Sequence, residues 1–175
     1  MLPNPLHPAV VHFPLVLAVL LPLFALGALW AIRLGARPTR AWALPLAIGA
    51  ALTVSAYVAV RTGEADEDRV EDVVGDRAMH AHEEAAERFL VLSGVLFAIG
   101  ALGALRGNVG TAARFVTTAG SIGVLVAGIQ VGKAGGELVY EHNAANVYST
   151  PEATANAGAV EALDKAASEE DERPN

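Results

Sequence analysis

Four long runs of apolar residues, each without a charge, organise this chain: Phe13–Ile32, Ala41–Val60, Phe89–Leu105 and Phe115–Gly132. They hold 20, 20, 17 and 18 residues, and a helix needs about 20 to cross the hydrocarbon core of a bilayer. No water is available there to satisfy a backbone amide, so each run predicts a helix. None shows the two-residue alternation of a membrane barrel strand. With their flanks, the predicted spans cover residues 9–33, 41–62, 82–106 and 113–134. The connectors Arg33–Arg40 and Arg106–Arg114 are short, whereas Arg61–Arg88 is long. Two short hairpins predict an all-α fold, an integral membrane four-helix bundle running up-down-up-down. Residues 1–148 form this domain, with an outer acidic loop, and 149–175 form an acidic, partly disordered tail.

Composition agrees and adds a direction. Of 175 residues, 53% are hydrophobic and 18% charged, below the usual quarter for soluble domains. The formal net charge of -7 excludes a basic nucleic-acid binder. The lack of cysteine excludes a disulfide scaffold, a thiolate metal site and covalent haem attachment. All 19 acidic residues fall within 64–87 or 137–172. The short connectors carry Arg33, Arg37, Arg40, Arg106 and Arg114, with no acid among them. Such loops favour the cytoplasm, so both termini are expected on the outer, periplasmic side of a bacterial-type inner membrane. The first run lacks a charged leader and reads as an uncleaved anchor. Trp30 and Trp42 bracket the inner interface as belt residues. Thr53, Ser55, Tyr57 and Gln130 read as hydrogen-bonding groups between helices.

This topology gathers the five histidines, His7, His12, His80, His82 and His142, at the outer end. His7-Pro8 opens the first helix, because proline suits the first helical turn. His80 and His82 lie two residues apart and so point roughly 200° apart around a helix. His80 shares a solvated stripe with Glu83, Glu84 and Glu87. His82 stands above Ala86, Phe89, Ser93 and Gly100, a small-residue face suited to packing. His12 begins a column through Val16, Val19 and Leu23, expected to face inward. Gly63–Asp76 reads as a solvated acidic connector with Val70, Val73 and Val74 along one side, shielding the bundle end. Gly135-Gly136 is expected to end the fourth helix ahead of His142.

Four segments carry a family resemblance. His7-Pro8-Ala9-Val10-Val11-His12-Phe13-Pro14 resembles the HPxxVHFP opening of the predicted membrane proteins grouped as domain of unknown function 2231. Thr62-Gly63-Glu64-Ala65 resembles that family's segment closing the second span, and His82-Glu83-Glu84-Ala85-Ala86-Glu87 its HEELAE segment. Gly135-Gly136-Glu137-Leu138-Val139-Tyr140, followed by His142, resembles its GGxLVYxHG closing motif, although Asn143–Val147 departs from the family's glycine-rich sequence. The motifs arrive in family order across residues 5–148. The resemblance implies a four-helix membrane core and brings no established reaction. It matches His7, His12, His82 and His142, leaving His80 aside.

Three functional readings follow. In the first, a b-type haem is bound near the outer face by two histidines from different helices. His12 and His82 are the expected axial pair, with His7 and His142 close by and Arg61 or Arg88 pairing with the propionates. Its role is electron transfer between a periplasmic donor and a quinone or larger membrane complex. In the second, His12, His82, His142, Glu64, Glu83 and Glu87 supply a nitrogen–oxygen set for an iron, zinc or copper ion. In the third, the protein is a cofactor-free accessory subunit. No catalytic signature such as GxSxG, a P-loop or HExxH is present, which favours a carrier or subunit over a stand-alone catalyst.

Overall fold

The computed structural model describes residues 6–65, 70 and 74–145. The tail, Val73 and most of the acidic connector lie outside the described residues. The described chain is helical: α1 (His7–Val10), α2 (His12–Arg33), α3 (Pro38–Glu64), α4 (Asp76–Leu102) and α5 (Gly107–Tyr140). α1 and α2 form one span interrupted at Val11, and among the described residues four helices are long and apolar enough to cross a membrane. The interruption has a local cause, because Pro14 has no amide proton to offer the Val10 carbonyl.

The helix ends follow ordinary stop signals. α2 ends in a Schellman turn: Gly35 takes φ +98, its amide donates to Ile32 O, and the Ala36 amide donates to Ala31 O, both at 3.0 Å. α3 starts on Pro38 and α4 follows Gly75, whose φ is +83. Each long helix packs on two neighbours, α2 on α3 and α5, and α4 on α3 and α5. The result is a closed ring of four antiparallel helices.

Small residues hold the ring together. Ala18, Leu21, Ile48, Leu52, Ala56, Phe89, Leu96 and Val124 form the central core, and Ser93 and Ser121 are fully buried beside it. Gly49 and Gly128 give Phe97 and Phe89 room to lie against helix backbone. Such close approach, rather than water exclusion, drives association of membrane helices. The large apolar residues point outward instead, among them Phe13, Leu23, Val54, Val91, Phe115 and Ile129. An apolar surface this extensive is a lipid-facing one.

Several expectations change at the connector end. Trp30 is exposed, as an interfacial residue should be, but Trp42 is buried and its Nε1–H donates to Gly100 O at 2.9 Å. Gly103 makes this possible, since a Cβ there would collide with the indole. Arg114 is not a loop charge. It lies inside α5, buried, and donates to Gly103 O at 2.6 Å and Thr111 Oγ1 at 3.2 Å. Its guanidinium caps one carbonyl that the end of α4 leaves without a helical partner. Thr53 and Ser55 bond back to Gly49 O and Leu52 O of their own helix, while Tyr57 and Gln130 are exposed, so none of these links helices. A cavity lined by Leu21, Trp42, Leu96, Phe97, Gly100 and Thr117 also lies in this half.

At the opposite end, Val70 and Val74 pack with Met79, Leu138 and Ala144 in a separate apolar cluster. Val70 and Val74 of the acidic connector are therefore buried against the bundle end. Gly135 and Gly136 do not stop the fourth helix, because α5 continues through them to Tyr140.

Candidate functional site: a histidine pair at the bundle end

His7 is fixed by its first ring nitrogen. Nδ1 lies 2.9 Å from Ala59 O and 3.3 Å from Thr62 Oγ1, both on α3. A carbonyl oxygen only accepts, so Nδ1 carries the proton and Nε2 the lone pair. The Thr62 hydroxyl also donates to Ala59 O, at 2.9 Å. Gly63 completes the seat: a Cβ there would stand 3.1 Å from His7 Cε1.

His82 approaches from α4. Its ring centre is 6.2 Å from that of His7, with the planes at 85°. Gly135 of α5 forms its wall, where a Cβ would lie 3.2 Å from His82 Cε1. The Val131 backbone, one turn earlier on α5, interacts with the same ring. His82 Nδ1 is buried with no hydrogen-bond partner among the described residues. A buried polar atom in that condition calls for an ion, a water or a ligand. The four family-like segments thus each supply one part: His7, the Thr62-Gly63 step, His82 and Gly135.

The inward pose of His82 and the outward pose of His80 follow the helical spacing. His80 is exposed, with Nδ1 3.3 Å from Glu83 Oε2. His12 departs from expectation. It is exposed, and the residues below it, Val16, Val19 and Leu23, are exposed as well. α2 buries Pro14, Ala18, Leu21, Pro22 and Ala25 instead. The packing face of a membrane helix is its small-residue face, and the larger apolar column led by His12 faces lipid. The structure thus brings His7, and not His12, beside His82.

The remaining candidates stay apart. His142 is exposed beyond the end of α5. Arg61 pairs with Glu64, and Arg88 pairs with Glu84, all on the surface. Among the described residues no three His, Asp or Glu side chains converge as a metal-binding group. The set of His12, His82, His142, Glu64, Glu83 and Glu87 is thus not assembled there. Sequence reasoning underweighted His7 and missed Thr62, Gly63 and Gly135 as parts of one site. Their common signal was membership of the four motifs, all of which reach the same bundle end.

The arrangement offers two imidazoles from separate helices, one with its tautomer set by a main-chain carbonyl. Ligating histidines are held by this kind of bond, which orients the ring and raises the basicity of the other nitrogen. The chain has no significant match among curated proteins or among solved structures. Residues 3–147 match the family described as predicted membrane protein (DUF2231). That match takes in all five long and short helices and every residue of the histidine seat, and the chain belongs to this family of predicted membrane proteins.

Proposed function

We propose that the protein is a membrane-embedded b-type cytochrome, with His7 and His82 as the two axial ligands of a non-covalent haem. The observation that carries this reading is the 6.2 Å between the two ring centres. A metal–nitrogen bond of about 2.0–2.1 Å, plus about 1.1 Å from nitrogen to ring centre, places two rings on opposite sides of one ion about 6.3 Å apart. The number of ligands supports haem over a bare ion. Structural and catalytic zinc take three or four protein ligands, whereas a porphyrin already provides four nitrogens and needs only two axial groups.

The chain's own residues have definite tasks in this reading. Ala59 O and Thr62 orient His7, and Gly63 and Gly135 keep side chains away from the rings. The cluster of Val70, Val74, Met79 and Leu138 covers the bundle end. Arg61 and Arg88 are the cations for the propionates, exchanging their present carboxylate partners. Haem, when bound, supplies a one-electron couple. With the arginine-bearing connectors inside, the histidine pair and both termini face the periplasmic side of a bacterial-type inner membrane. An electron donor there and a quinone or larger complex in the membrane are the partners that this placement suits.

Absorbance spectroscopy of the detergent-purified protein, produced with an adequate haem supply, tests the reading. The expected result is a Soret band with a sharp α-band on reduction. A colourless protein overturns the proposal, whether elemental analysis finds another metal or none.

A further inference from the structure

The other end of the bundle carries an independent feature. Arg33 closes α2, Arg37 and Arg40 flank the start of α3, and Arg106 precedes α5. All four of these arginines are exposed. None of the four guanidiniums has a hydrogen bond or ion pair among the described residues. At the histidine end Arg61, Arg88 and Lys133 each meet a carboxylate, and only Arg77 lacks an ion pair among the described residues. The sequence explains the contrast: no acid lies between Arg33 and Glu64, or between Arg88 and Glu137. The connectors therefore contain no counter-charge of their own. Arg114 is not part of this group, because its guanidinium turns inward onto Gly103 O.

The depth of these arginines identifies the counter-ion. Trp30, 68% exposed, precedes Arg33 by one helical turn, and Leu34 beside it is 73% exposed. An exposed tryptophan below a row of arginines is the pattern of the headgroup layer. We infer that Arg33, Arg37, Arg40 and Arg106 bind the phosphates of anionic phospholipids around this end of the bundle. Guanidinium pairs with phosphate through two parallel N–H···O bonds, and exposed basic groups at a membrane surface are attracted to anionic lipid. The inference stands on the arginine end alone and does not depend on haem.

Spin-labelled lipid binding tests it. Wild-type protein is reconstituted in phosphatidylcholine with trace spin-labelled phosphatidylglycerol or phosphatidylcholine, and the motionally restricted fraction of each label is measured. Wild type is expected to select phosphatidylglycerol several-fold, with each single Arg→Gln change removing only part of that selection at low salt. The quadruple variant R33Q/R37Q/R40Q/R106Q is expected to lose selection, while R33K/R37K/R40K/R106K, which keeps the charge, retains most of it. Circular dichroism verifies folding, and the single variants decide the matter if the quadruple one is not helical. Equal binding of the two labels by wild type, selection unchanged in the Gln variants, or displacement of the lipid by millimolar inorganic phosphate would each overturn the inference.

Discussion

His82→Ala is expected to abolish the haem spectrum, and His7→Ala to remove the low-spin form, while His12→Ala leaves the spectrum unchanged. The difference follows from which helix faces meet. His82 stands over Phe89 and Ser93 on the buried side of α4, against Gly135. His7 reaches it from α1, with its ring held by Ala59 O and Thr62. His12 lies on the opposite, exposed side of α2. In the proposed site, loss of His7 or His82 would remove one of the two groups that hold the haem, whereas loss of an exposed ring at the lipid boundary removes neither. Optical spectra of the three variants, read against total haem, separate these outcomes. A His12→Ala variant without haem would restore the pairing expected from sequence and refute the present one.

The second large effect is on stability. Gly110→Ala is expected to destabilise the bundle by roughly 3 kcal/mol, the upper end of overpacking costs. A Cβ at this position would overlap the Leu105 carbonyl, with the carbonyl carbon only 2.7 Å away. Those atoms are backbone, so no rotamer change relieves the contact. The tight turn from α4 into α5 must open, which also disturbs the Arg114–Gly103 bond that caps α4. Gly123→Ala provides the contrast. It lies on an exposed face of α5 with nothing within 4 Å of its Cβ position. Alanine there is expected to be neutral or stabilising by up to about 1 kcal/mol. Unfolding in mixed micelles with increasing dodecyl sulfate, followed by circular dichroism, compares the pair. Similar midpoints for the two variants would show that the turn is not constrained in this way.

The membrane spans were legible because the bilayer imposes a length and forbids charge. The helix ends were less so. α4 begins at Asp76 and α5 continues to Tyr140, well beyond the uncharged runs, because a helix emerging from lipid can go on with polar residues. Orientation of faces was legible wherever small residues marked one side. Applied to α4, that rule placed His82 and His80 correctly. On α2 the spacing from His12 to Leu23 suggests a core stripe, but bulk without small neighbours marks a lipid face in a membrane. Gly135-Gly136 looked like a helix stop because glycine ends helices in water, but membrane helices carry glycine where a neighbour must approach closely. Here the neighbour is the His82 ring. The pose of His7 was beyond local reasoning, since its anchor on Ala59 lies 52 residues away. Arg114 was misplaced for a similar reason: its role depends on where α4 ends, which the charge pattern does not specify.

In the proposed site His7 and His82 would hold one iron between them, and low-temperature electron paramagnetic resonance of the oxidised protein addresses that most directly. Two axial imidazoles with planes near 85° bring two iron d orbitals close in energy and give a strongly anisotropic low-spin signal. The prediction is that signal in wild type and in His12→Ala, replaced by a high-spin signal in His7→Ala. A high-spin wild-type protein, or a low-spin signal that survives in His7→Ala and vanishes in His12→Ala, would contradict the His7–His82 site.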